Sequence, residues 1–290
     1  MKMKTATKRL TKTAAAAAVA FAACLQAFGG GKTVLRTALL PDENAATVIK
    51  NNSALKDYLE GATGCEVELV VTTDYSSMIE AMRRGRLEIA YFGPLSYVLA
   101  KSRADIEPFA VQVSKGAKTY NGVVIANAAS GIKSLADIRG KTVAYGDQAS
   151  TSSHLIPKSM LAKAGLLAGR DYSEQFLGAH DAVALAVQSG RAQAGGLSKP
   201  IFEALVKKGV IDPARVAVLE VSPDYPNYPW TIRSGVDSET KKRVAEAFYR
   251  LSDPAVLKNL KAEGFAPAAD SDYDVIRELG KVLNLDLSKF

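Results

Sequence analysis

The stretch "SLADIRGKTVAYGDQASTSSHLIPKSMLAKAG" (residues 134–165) decides the fold. It opens with a short helical pattern that stops at Gly140, continues as a strand ending in Tyr145, and turns at Gly146 and Asp147. Four hydroxyl residues follow, Ser150, Thr151, Ser152 and Ser153, and a helix is expected over 152–165, ending at Gly165. A short apolar run bounded by turn residues and followed by a helix is the repeating unit of an α/β fold with parallel sheets. One Ser or Thr is enough to cap a helix. Four at one strand-to-helix junction call for a further reason.

The same unit recurs on both sides. Residues 34–40, "VLRTALL", read as a strand, and 46–63 as a helix through Val48, Leu55 and Leu59. A β-branched run at 67–71 and a helix over 76–85 come next, then a strand at 87–93 that stops at Gly93-Pro94, then a helix over 95–101. The pattern restarts near Tyr120 with "NGVVIANAASGI", and residues 182–197 hold a helix, a Gly stop and a short strand. From Ser238 onward the chain reads as mainly helical, with breaks at Pro254 and Gly264. Segments near 114–119 and 222–228 look like crossings between two α/β lobes. Two crossings place residues 33–117 and 223–290 in lobe one and 118–222 in lobe two. A cleft between such lobes gathers strand C-termini and helix N-termini, a natural ligand site.

The chain has 290 residues and a formal net charge of +7. Five of its 37 basic side chains, Lys2, Lys4, Lys8, Arg9 and Lys12, lie in the first 28 residues, which hold no Asp or Glu. An apolar run at 14–23 follows them. This is the pattern of an export signal over residues 1–28, with an apolar segment too short to span a bilayer. Without it 32 basic side chains face 30 acidic ones, and no basic block marks a nucleic-acid partner. Cleavage fits the small-x-small pattern Ala20-Phe21-Ala22 and also a cut near Ala27. Phe21-Ala22-Ala23-Cys24 resembles a lipobox, which would make Cys24 an acylated anchor. Cys65 alone is then left in the mature chain, read as a small half-buried residue at a turn, and no internal disulfide is possible.

The first turn of a helix has unpartnered N–H groups and the positive end of the helix dipole. Hydroxyls added at that end suit a tetrahedral oxyanion. The bland alternative for "STSS" is an over-supplied cap on Ser150 or Ser152. His154 falls inside the following helix, where a core or surface role is expected; His180 opens the helix of "GAHDAVALAV" and is either a donor to an anion or a capped residue. Two His and one Cys without ligand spacing make zinc improbable, and no nucleotide-binding glycine motif is present. A hydrolase built on Ser152, His180 and Asp181 lacks the G-x-S-x-G elbow and would need adjacent residues as base and orienter. Among the aromatics, Tyr75 and Tyr120 stand at a turn and a strand start, where a hydroxyl reaches a cleft.

With these residues in view, "TDYSSMIEAMRRGRLEIAYFGPLSY", "GDQASTSSHLIP" and "GAHDAVALAVQSGRAQA" together make the chain resemble the periplasmic phosphonate- and phosphite-binding proteins of ABC uptake systems. The likeness runs from about residue 35 to 233. It implies a two-lobed type II periplasmic binding protein, with two mixed or parallel sheets around a double-crossing hinge. It also implies an oxyanion clamp of Tyr75, Tyr120, Ser150, Thr151, Ser152 and His180. The acidic pair that holds the ammonium of aminoethylphosphonate in such proteins is replaced, by the same resemblance, by Pro200 and Tyr228. With Phe92, these two form an expected apolar pocket wall. The ligand expected is therefore phosphite, with methylphosphonate or another small phosphonate as the alternative. The resemblance further implies a monomer that is not an enzyme, needs no cofactor or metal, and delivers its ligand to permease subunits.

Overall fold

The computed structural model describes residues 32–283. The expected leader and Cys24 lie outside these residues. Two sheets organise the rest. The first has the order β13–β4–β12–β3–β1–β2, with β1 (Val34–Leu39), β2 (Glu66–Val71), β3 (Ile89–Tyr91), β4 (Ile106–Val113), β12 (Pro229–Arg233) and β13 (Gly264–Pro267). The second has the order β10–β6–β9–β7–β8, with β6 (Gly122–Asn127), β7 (Thr142–Tyr145), β8 (Ser173–Phe176), β9 (Ala194–Ser198) and β10 (Val216–Val221). Between them, β5 (Thr119–Tyr120) and β11 (Tyr225–Pro226) pair antiparallel as a short ribbon where the chain passes from one sheet to the other and back.

Alternation of strand and helix predicts parallel pairing, and β1 with β2 and β3, and β7 with β8 and β9, pair that way. Both sheets are nevertheless mixed. Strands β12 and β6, which follow the two passages, enter antiparallel against β3 and β9. Each is reached from the ribbon rather than through a crossover helix, the connection that parallel neighbours need.

The helices lie where apolar spacing places them. Helix α1 (Ala45–Thr63) buries Val48, Leu55 and Leu59 against the first sheet, in a core that also holds Trp230 and Phe248. Cys65 follows it and is 2% exposed, more buried than expected. Helices α2 (Tyr75–Arg83) and α3 (Pro94–Lys101) fill the middle of the molecule. Met78, Met82 and Leu99 belong to one cluster that continues to Tyr145, Leu155 and Leu161 beside the second sheet. The opposite face of that sheet is covered by α5 (His180–Gln188) and α6 (Lys199–Lys207), through Val183, Val187, Phe202 and Leu205. No helix among the described residues is long and apolar enough to cross a membrane.

The junction after β7 departs from a plain helix. Thr151–Leu155 form a π-helical turn, with Leu155 N–H donating to Ser150 O at 3.1 Å, and the α-helix, α4, begins only at Ile156 and ends at Lys163. Pro157 supplies the reason. It has no N–H to give Ser153 O, and in an α-helix its ring would press on that carbonyl. The wider turn avoids this, and Ser153 O accepts from Gly146 N–H at 3.0 Å instead. Close packing fixes the turn. A Cβ on Gly146 would lie 2.9 Å from Ser153 Oγ, and one on Gly196 would lie 2.2 Å from Pro157 Cγ.

Candidate functional site

The four hydroxyls at the π turn divide their work. Ser153 Oγ accepts from Gly146 N–H at 2.9 Å and donates to Gly196 O at 2.5 Å, tying the turn to the sheet. Ser150 Oγ accepts from Ser153 N–H at 3.1 Å, the helix cap that one hydroxyl was expected to provide. Thr151 Oγ1 accepts from Leu95 N–H at 2.7 Å, reaching the first turn of α3. Ser152 is fully buried and its Oγ has no hydrogen-bond partner. Three of the four hydroxyls thus hold the structure, and only that of Ser152 is left without a partner.

Tyr75 and Tyr120 come to the same place. Asp74 caps α2 by accepting from Ser77 N–H at 2.6 Å, which leaves Tyr75 as the first helical residue. Its N–H donates to Asp147 Oδ2 at 3.2 Å, across from one sheet's helix to the other sheet's turn. The Tyr75 ring is buried and its hydroxyl neighbours Ser150. Tyr120, on the ribbon, is 5% exposed and its hydroxyl has no hydrogen-bond partner, though Ser152, Thr151 and Tyr228 lie beside it. Burial pushes the phenol pKa of Tyr75, Tyr120 and Tyr228 upward, so each stays a neutral donor.

His180 begins α5. Its backbone N–H donates to Asp42 O at 3.0 Å and its Nδ1 accepts from Ser198 N–H at 3.1 Å. The second contact sets the tautomer. Nδ1 is bare, so Nε2 carries the proton, and Nε2 is buried without a partner. Burial, with Lys261 adding to it, lowers the imidazole pKa to about 3, so the ring is neutral. Because Ser198 rather than Asp181 engages Nδ1, nothing orients His180 as the base of a triad with Ser152. His154 is buried between Tyr145 and Phe176, with ring centroids 5.4 and 5.0 Å away, and contacts Gln148 O through Nδ1 at 2.7 Å.

A cavity of about 300 Å³ is lined by Asp42, Tyr91, Tyr120, Ser198, Pro200 and Tyr228 among others. Of the six expected clamp residues Tyr120 alone lines it, while Tyr75, Ser150, Thr151, Ser152 and His180 are buried and do not. Tyr228 stacks between Tyr91 and Tyr120, at 5.5 and 5.2 Å. Phe92, expected in the wall, is instead fully buried in the core and does not line the cavity. Successive side chains of a strand point to opposite faces, so Tyr91 takes the wall position and Phe92 faces away from it.

The wall is also less uniformly apolar than expected, for Glu43, Glu203 and Asp224 line it too. Glu203 lies one helical turn beyond Pro200 on α6 and pairs with Lys199 and Lys115. Glu43 pairs with Lys261, and Asp224 accepts from Asn121 Nδ2 at 2.8 Å. Asp42 is the acidic residue that sequence reasoning overlooked. It follows the apolar run of β1 in "LLPDEN", the one signal for it: a carboxylate just past a strand C-terminus. Among the described residues no group of three His, Cys, Asp or Glu is placed to hold a metal.

Two mixed sheets, an antiparallel ribbon between them and a cavity lined by the unpartnered donor Tyr120 define the architecture of a type II periplasmic binding protein. Residues 37–273 match the family of periplasmic substrate-binding proteins of phosphonate ABC transporters, and the chain belongs to that family. It is 27% identical over 288 residues to the phosphate-import protein PhnD of Mycolicibacterium smegmatis, covering 90% of this chain and 89% of that one. It is 26% identical over 273 residues to a Prochlorococcus marinus protein named as a probable ABC transporter phosphite-binding protein, covering 87% and 90%. The crystal structure of a binding component of an ABC phosphonate transporter from Pseudomonas aeruginosa superposes with a TM-score of 0.82 at 25% identity, over 88% of this chain and 87% of that one.

Proposed function

We propose that this chain captures phosphite between two lobes, residues 33–117 with 223–290 and residues 118–222, and delivers it to a membrane permease. Tyr75, Tyr120, Ser150, Thr151, Ser152 and His180 donate to the three oxygens. Pro200, Tyr228 and Tyr91 face the hydrogen on phosphorus. The lobes close by flexing at the β5–β11 ribbon. The chain works as a monomer, without metal or cofactor, after export by residues 1–28, with acylated Cys24 as the alternative end.

One observation carries this reading: Tyr120 Oη, Ser152 Oγ and His180 Nε2 are buried donors with no partner in the protein. Burying such groups unpaired costs about 1–3 kcal/mol each, and an oxyanion would satisfy them together. A phosphate ion brings a fourth oxygen toward the aromatic wall, where it goes unpaired. An ammonium tail would find Glu43, Glu203 and Asp224 already partnered, which leaves Asp42 as the one lining carboxylate without a side-chain partner among the described residues. The second reading is a small alkylphosphonate. It is favoured by the cavity of about 300 Å³, which exceeds a three-oxygen ion.

Titration calorimetry with phosphite, methylphosphonate, phosphate and aminoethylphosphonate tests both. Phosphite is expected to bind tightest. Tightest binding of methylphosphonate selects the second reading, and a preference for the amino ligand removes both. A chromogenic phosphoester should show no turnover; turnover lost in Ser152→Ala would instead make the chain a hydrolase.

A further inference from the structure

The clamp described above contains no cation, yet a carboxylate stands beside it. Asp42 lines the same cavity as Tyr120, Ser198 and Tyr228. Its charge reaches the phenols of Tyr75, Tyr91, Tyr120 and Tyr228, four rings from four different parts of the chain. Its backbone carbonyl takes the N–H of His180, which anchors it to the helix carrying one of the unpartnered donors. Among the described residues its side chain is in no salt bridge, unlike neighbouring Glu43, which takes Lys261. A dianion arriving at this site meets like charge at close range, and two like charges sharing a site raise the proton affinity of one of them.

We propose that the Asp42 carboxylate is a ligand-reading group that shares one proton with a phosphorus-bound oxygen, so the site holds the oxyanion together with a single proton. This rests on the oxyanion reading given above. One proton between the two acids turns a repulsion into a charge-assisted hydrogen bond, the stronger kind. The proton arrives on the ligand in its singly protonated form, or it is already on Asp42. The groups facing Asp42 fit this role. Glu43 and Asp181 add negative charge, Lys261 opposes them, His180 is neutral, and the four phenols are neutral. Asp42 keeps part of its solvent exposure, but loss of water around its carboxyl still outweighs all of these and pushes it up to about 7, within reach of exchange with a ligand of similar acidity. The arrangement also sorts ions by their protons. Phosphite, phosphonates and phosphate carry an ionisable proton near neutral pH. Sulfate brings none, so above about pH 7 it meets an ionised Asp42 and the shared proton must be drawn from solvent.

The test is calorimetry of phosphite binding at pH 8.5 in two buffers of different ionisation enthalpy, which counts the protons taken up. At that pH both the ligand and Asp42 are ionised when free, so wild type is expected to take up about one proton per ligand bound. Asp42→Asn should bind with uptake near zero, and its affinity for sulfate relative to phosphite should rise by about tenfold or more, because an amide donates to a bare oxygen. Uptake near zero in wild type overturns the proposal whether or not the variant folds, and so does equal uptake in the variant. If phosphite does not bind, the same count is made with methylphosphonate or phosphate, which have the same two protonation states. Binding of none of the three removes the oxyanion reading and this inference with it, a result distinct from binding without proton uptake.

Discussion

Thr151 Oγ1 accepts a hydrogen bond from the backbone N–H of Leu95 at 2.7 Å, joining the hydroxyl cluster beside the second sheet to the first turn of a helix on the first. Two similar contacts cross the same gap, Tyr75 N–H to Asp147 and His180 N–H to the Asp42 carbonyl. In each case a donor from the first turn of a helix, which has no partner inside its own helix, is met by an acceptor from an element beside the other sheet. The placing of these elements is therefore specified by backbone groups as well as by apolar packing.

A prediction about Thr151 follows from this. Thr151→Val keeps the shape of the side chain but leaves the Leu95 N–H buried without an acceptor, at about 1–3 kcal/mol. Phosphite binding should weaken by about one to two orders of magnitude. Thr151→Ser retains the oxygen and should stay within a few-fold of wild type. The pair is compared by calorimetry. Equal weakening in both variants would mean that the methyl group, not the hydroxyl, matters at this position.

Much of the frame is legible in the sequence because it rests on period and punctuation. Apolar runs at 34–40 and 67–71, the "GP" stop at 93–94 and the "GD" turn at 146–147 each mark a boundary that local chemistry dictates. The hydroxyl cluster was equally visible, since Ser and Thr in a run at a helix start have few structural uses. What escaped was set by tertiary neighbours. Asp42 looks like any loop carboxylate until Tyr75, Tyr91, Tyr120 and Tyr228 arrive around it from four other segments. Tyr91 is the last residue of a three-residue strand and Phe92 the next; the first lines the cavity and the second is buried in the core. A slip of one position there exchanges wall and core. The π turn needed Pro157 to be read against the carbonyl four residues back, a pairing that periodicity does not weigh.

Gly196 offers a test of that turn. Adding a methyl group there places a carbon 2.2 Å from Pro157 Cγ, on a rigid ring that cannot swing aside. The second-sheet strand β9 or the π turn must move. Gly196→Ala is expected to lose about 2 kcal/mol or more of stability, in the range for overpacked cores. It should also lower affinity for phosphite, because the displaced turn carries Thr151 and Ser152. Thermal unfolding and calorimetry on the same sample measure both. A variant as stable as wild type would show that Pro157 and β9 do not constrain each other.

The buried histidines give the protein an acid-sensitive stability whose sign can be worked out. Burial lowers the His154 pKa to about 4, against an ordinary value near 6.5, with Lys158 adding to the effect and the Gln148 carbonyl opposing it. Below about pH 6.5 the unfolded chain binds a proton that the native state refuses until about pH 4. Stability is therefore full above that window and falls as pH drops through it. At pH 5 the loss from this one residue is about 2 kcal/mol, at about 1.4 kcal/mol per pH unit. His180, lowered to about 3, acts in the same direction, while Asp42, raised to about 7, acts in the opposite one. Comparing variants isolates the term. His154→Phe keeps an aromatic ring against Tyr145 and Phe176 and removes the titration. It forfeits the contact with Gln148, so the variant should be less stable at pH 7.5. The drop in urea-unfolding free energy between pH 7.5 and pH 5 should nevertheless shrink by about 2 kcal/mol relative to wild type. An unchanged drop would place the acid sensitivity elsewhere.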